Sequence, residues 1–254
     1  GYYSDNYSFT YVDGNLRVTP KPITLEWENT VLTYNGQIQQ PTASFTGLVN
    51  GDTCDVVVSG AQTNVGENYL AMVNGLTDPN YKLATEGLFT AFSIVKGQAI
   101  IIVDTTNINV IYGDEIILPE STSNFGNVVK SEIDNTNVGE HIITYSVAET
   151  DNYFGATKTV KVIISPLAVT EPTVKGSYIY TGNEQTVELN GLESFMTIET
   201  GNKATVVGNY TVKIKLDSNH VWADGSDGEI SWSIEKSQAT IAVNTDDINK
   251  NIDL

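Results

Sequence analysis

The sequence predicts an all-β chain built from one small unit laid end to end. Three observations predict it. The stretch from Lys96 to Asn109 comes back 140 residues later as the stretch from Lys236 to Asn249, without a gap, with Lys, Gln, Ala, Ile, Val, Thr, Ile and Asn in register. A match at a fixed offset marks a repeat. Tyr210, Val212, Ile214 and Leu216 alternate with Thr211, Lys213, Lys215 and Asp217. That is the period of a strand with one dry face and one wet face. Thirteen Tyr and 21 Gly favour strands joined by tight turns, and no apolar run has helical spacing.

Residues 1–20 read as two strands around the Asp13-Gly14 turn. Their parts recur downstream. Asp5-Asn6-Tyr7 returns as Asp78-Pro79-Asn80-Tyr81, Asp151-Asn152-Tyr153 and Asp217-Ser218-Asn219-His220. Leu16-Arg17-Val18 matches Phe92-Ser93-Ile94, Val162-Ile163-Ile164 and Trp232-Ser233-Ile234. In each copy this strand closes a unit, so 1–20 are expected to be the end of a truncated repeat. Together with the start Gly1-Tyr2-Tyr3, this predicts a fragment of a longer chain.

The first whole unit is placed at 21–96. It opens on an alternating strand, 23–27, and Tyr34-Asn35-Gly36 suits a hairpin turn because Asn and Gly accept positive φ. Strands are expected at 43–46 and 54–58. Asn64-Val65-Gly66 then leads into a strand at 70–73, and 88–94 closes the unit. The second unit is placed at 97–165. It opens on the buried-looking run 100–103, turns at Tyr112-Gly113-Asp114, and passes through Asn137-Val138-Gly139 into 141–147. The third, at 166–235, turns at Tyr180-Thr181-Gly182, and Val206-Val207-Gly208 leads into its central strand. Residues 236–254 are expected to be the first strand of a following, truncated repeat. The lead-in glycines are 73 and 69 residues apart. That length fits six or seven short strands, a small immunoglobulin-like β-sandwich, with a β-grasp-like unit as the alternative. Short joints holding Pro20, Pro22 and Pro166 predict a stiff, elongated array.

The net charge is −18, from 31 acidic and 13 basic residues. Such a surface repels nucleic acid and anionic lipid alike. No run of 18 apolar residues offers a membrane-spanning helix. Cys54 is the only cysteine, so no internal disulfide forms. In a strand-like run it reads as a small buried hydrophobe.

Three marks carry a resemblance. Tyr-x-Gly stands near the start of the first and third units (Tyr34-Asn35-Gly36, Tyr180-Thr181-Gly182). Asn-x-Gly or Val-x-Gly precedes the central strand. Asn-Tyr or Asn-His follows it, most closely in the stretch from Asn219 to Gly225 followed by Ser231-Trp232-Ser233-Ile234. In these residues the chain resembles the MBG repeats, a bacterial immunoglobulin-like family. The second unit departs from the pattern, because Tyr112-Gly113 shifts the glycine by one place. The resemblance implies a secreted or wall-attached, adhesin-like protein in which repeats form a stalk, and it transfers no catalytic residue.

Candidate sites are few. His141 and His220 are the only histidines. His141 stands where Asn68 and Tyr210 stand, and His220 where Tyr7, Tyr81 and Tyr153 stand. Both read as substitutions at repeat positions rather than as base or ligand. Trp27 and Trp232 read as core. Trp222 has no aromatic counterpart and is the candidate for an exposed sugar-binding platform. Asp224, Asp227 and Glu229 gather acids in one turn, where calcium is weighed against a solvated hairpin; Asp246-Asp247 is a similar case. No catalytic motif or cofactor motif appears. A structural stalk or adhesin is therefore expected, monomeric as a fragment. The alternative is a module that binds a glycan or a host or matrix protein.

Overall fold

We describe residues 1–243 from a computed structural model. Among them there is no helix, and the chain is all β. It gathers into two compact units. One holds Gly1–Val103, Ser121–Val129 and Tyr145–Lys158, and the other holds Asp104–Glu120, Lys130–Thr144 and the chain from Thr159 onward.

One sheet plan occurs three times. In the first instance the order is Val31–Thr33, Phe89–Val95, Gly66–Leu76, Val56–Ser59. In the second it is Ile108–Ile111, Ala156–Ser165, Gly139–Val147, Val129–Lys130, and in the third Tyr178–Ile179, Glu229–Glu235, Gly208–Leu216, Met196–Thr200. Each time the short edge strand runs parallel to the closing strand. A parallel pair cannot be joined by a tight turn, so the rest of the unit forms the connection between the two. The opening strands repeat a second pattern. Lys21–Glu28, Gly97–Gln98 and Leu167–Val169 run parallel to Tyr81–Leu83, Tyr153–Phe154 and His220–Trp222.

The long strands form because their apolar residues alternate. In Gly139–Val147 the side chains of Ile143, Tyr145 and Val147 are buried, and in Ala156–Ser165 those of Val160, Val162 and Ile164. In Gly208–Leu216, Val212 and Ile214 point inward while Thr211 and Lys215 face water. Cores follow from this. Ala71, Phe92 and Ile94 pack with Trp27, Leu32, Tyr34 and Val58. Val212, Trp232 and Ile234 pack with Val187 and Ala204.

Several expectations are corrected. Residues 1–20 form no strand. A strand needs a neighbour for its backbone groups, and the hydrogen bonds described here stay local, such as Tyr2 N–H to the Tyr11 hydroxyl. Leu16 is left 91% exposed. Residues 236–243 are likewise outside any strand; the rest of the expected opening strand, with Asp246-Asp247, lies outside the described residues. The turn at Tyr34-Asn35-Gly36 exists, with Gly36 at φ 77°, but it is no hairpin. The strand before it pairs with the closing strand instead. The run 100–103 is not buried throughout: Ile101 is inside, whereas Ile100 and Ile102 face water. Cys54 precedes its expected strand, which begins at Val56.

Candidate functional site: two asparagine clamps

The most specific polar geometry in the chain gathers around two asparagines, one in each compact unit. In the first unit, Asn152 reaches the lead-in turn Asn64-Val65-Gly66. Its Oδ1 accepts the Val65 N–H at 2.9 Å, and its Nδ2 donates to Asn64 Oδ1 at 3.1 Å. The backbone holds Asn152 in place. Its N–H donates to Thr150 Oγ1 at 3.2 Å, a local turn bond of the kind Ser and Thr favour. Its carbonyl accepts the Gly97 N–H at 3.1 Å, which ties it to the opening strand. Next to this clamp three rings meet. Tyr34 lies 5.3 Å from Phe125, and Phe125 stacks on Tyr153 at 5.2 Å. Such pairs add about 0.5–1.5 kcal/mol beyond the area they bury. Lys96 Nζ pairs with Glu149 Oε1 at 2.5 Å and lies over the Phe154 ring.

In the second unit the same clamp is made by Asn219. Its Oδ1 accepts the Val138 N–H at 2.9 Å, and its Nδ2 donates to Asn137 Oδ1 at 3.0 Å. Its N–H donates to Asp217 Oδ1 at 2.9 Å, and its carbonyl accepts the Leu167 N–H at 3.0 Å. The rings are Tyr112, His220 and Phe195. His220 stacks on Phe195 at 3.8 Å and meets the edge of Tyr112 at 5.4 Å. Its Nδ1 bonds Asp217 Oδ1 at 2.5 Å, a hydrogen bond that holds the Asp217 carboxyl below the usual carboxylate range.

Each lead-in turn is also braced from behind. Tyr69 donates its hydroxyl to the carbonyls of Asn64 and Val65, and Tyr210 donates to Val206 O at 2.6 Å. Between them in sequence, His141 does this work with a ring nitrogen. Nε2 donates to Asn137 O at 2.8 Å, and Nδ1 to Asp134 Oδ1 at 2.9 Å. Both partners are acceptors, so the doubly protonated ring satisfies both. The Asn137 carbonyl, then Asp134, raise the His141 pKa against the opposing effect of burial. The residue equivalent to His141 in the first unit is Tyr69 and not Asn68. Asn68 sits at φ 57° in a bulge, where the strand register shifts between Gly66 and Tyr69.

The residues singled out from sequence fall elsewhere. Trp222 is not an exposed platform. It is 7% exposed and packs with Met196 and Ile214 in a core cluster. The alternation of His220–Trp222 turns it inward beside Val169 of the opening strand. Asp224, Asp227 and Glu229 are exposed and do not converge. Asp224 accepts the Ser226 N–H, whose bond lowers its pKa, and Glu229 pairs with Lys213 at 3.5 Å. Among the described residues no group of three or more His, Cys, Asp or Glu side chains is placed to hold a metal. Trp232 is buried, as are its counterparts Phe92 and Val162, and Trp27 packs on the first core while donating to Gly87 O.

Sequence reasoning passed over Asn152 and Asn219. The available signal was a recurring turn in which Asn6, Asn80, Asn152 and Asn219 each stand two residues after a Ser, Asp or Thr (Ser4, Asp78, Thr150, Asp217), while the next residue changes from Tyr to His.

No protein-family model matches the chain, and neither does any curated protein.

Proposed function

We propose that this chain is a non-catalytic structural stretch, a stalk or adhesin-like spacer of tandem repeats on a bacterial cell-surface protein. The observation that carries this reading is the clamp made twice over. Asn152 and Asn219 use the same atoms on the same kind of turn, each with three aromatic or imidazole rings beside it. Nearest-neighbour contacts of one repeated design are what fix the geometry of a repeat array. A sheet plan alone would not argue function; the repeated joint does, because its chemistry serves to hold one stretch of chain against the next. The acidic surface, at −18, suits a soluble spacer that avoids nucleic acid and anionic lipid.

Small-angle X-ray scattering tests the reading. The wild-type chain is expected to scatter as a stiff rod. The Asn152→Ala/Asn219→Ala variant is expected to keep its strand content while its distance distribution broadens. A wild-type profile of a compact globule, or a double variant indistinguishable from wild type, contradicts it.

A further inference from the structure

We propose that Asn80 and the turn Val206-Val207-Gly208 are the two halves of a further joint, made head to tail between two copies of this chain. Asn80 is built like the two clamping asparagines. Its N–H donates to Asp78 Oδ1 at 2.8 Å, and its carbonyl accepts the N–H of the opening strand at Lys21, also at 2.8 Å. Those two bonds are the ones that hold Asn152 and Asn219. The side chain of Asn80 differs in one respect. It is exposed and makes no hydrogen bond among the described residues.

The complementary half is equally complete. The turn at Val206 is braced by the Tyr210 hydroxyl, as the turn at Asn64 is braced by Tyr69. Val207 occupies the place of Val65 and Val138, whose N–H groups are taken by the clamps. It is 42% exposed, and no hydrogen bond from its N–H is made among the described residues. Tyr180 stands where Tyr34 and Tyr112 stand. All three are set by one backbone bond to the end of the closing strand, from Tyr180 to Glu235 O, from Tyr34 to Val95 O and from Tyr112 to Ser165 O. Tyr34 and Tyr112 have ring partners, whereas Tyr180 is 40% exposed. Next to Asn80, the exposed Val49 holds the Tyr81 hydroxyl through its N–H at 2.9 Å. It offers Tyr180 an apolar contact, as Phe125 does Tyr34.

The contact differs from the other two in strength. Val206 has no side-chain oxygen to accept from Asn80 Nδ2, so one clamp bond forms where the others form two. A weak, reversible association follows. Because the two surfaces differ, the contact is heterologous and does not close on itself, so it extends into chains.

Sedimentation velocity of the full 254-residue chain across a concentration series tests this. Wild type is expected to rise in average mass with concentration. Asn80→Ala alone and Val207→Pro alone, the second lacking the N–H donor, are each expected to stay monomeric. Both positions are exposed, and unchanged melting curves confirm that the variants fold. An equal mixture is expected to regain association and to stop at dimers, since each copy keeps one working surface. A monomeric wild type at every concentration, a single variant that assembles like wild type, or a mixture that stays monomeric overturns the proposal. None of these results bears on Asn152 or Asn219, so failure here leaves the stalk reading to its own test.

Discussion

His141 shows how one side chain sets the condition under which a clamp holds. Its two N–H groups bind Asp134 and the Asn137 carbonyl, and Asn137 is itself gripped by Asn219. The folded chain raises its pKa above the unfolded value of about 6.5. A raised pKa in a basic group contributes stability that is fully present below the unfolded value. It is lost as pH rises through the folded value. The melting temperature of wild type is therefore expected to fall from about pH 6 to pH 9. His141→Tyr, which places there the hydroxyl that Tyr69 and Tyr210 use, is expected to flatten that part of the profile. Equal pH dependence in the two proteins, followed by thermal unfolding, would remove His141 from this role. Its match to Tyr210 was legible in sequence, because both stand two residues after the lead-in glycine; its match to Tyr69 was not, because the bulge at Asn68 shifts the count. The clamping role of Asn152 was not legible either. Asparagine in a turn is commonplace, and its partner Val65 lies 87 residues away along the chain.

At the scale of the element, the first clamp depends on how closely an opening strand passes a turn. A Cβ on Gly97 would lie 2.6 Å from the Tyr34 carbonyl oxygen and 3.0 Å from the Phe125 ring. The carbonyl belongs to backbone held by Val95 and has little room to retreat. Gly97→Ala is thus expected to destabilise the chain by about 1–3 kcal/mol, the range for overfilling a packed site. Denaturant unfolding with an unchanged midpoint would show that the turn yields freely. The long strands were readable because four or more alternating residues fix the buried face, as Tyr210 to Leu216 do. The parallel edge strands were not. Val31–Thr33 and Tyr178–Ile179 are too short to carry a period, and nothing local tells such a strand which neighbour to choose. The extra residue at Asn68 was hidden for a related reason: a bulge shifts the count by one without changing the apolar pattern around it.

For the whole molecule, the repeated sheet order and the two clamps make one physical statement: lead-in turns are held by an asparagine from the following stretch of sequence. Hydrogen exchange of the Val65, Val138 and Val207 amides tests that statement most directly, at concentrations where the chain is monomeric. Val65 and Val138 donate to Asn152 and Asn219, whereas Val207 has no such partner among the described residues. Both clamped amides are expected to be protected, and Val207 to exchange rapidly. Asn152→Ala should expose Val65 alone, and Asn219→Ala should expose Val138 alone, each by the loss of a hydrogen bond worth about 1 kcal/mol or somewhat more. Val65 and Val138 exchanging as fast as Val207, or keeping their protection in the alanine variants, would contradict it.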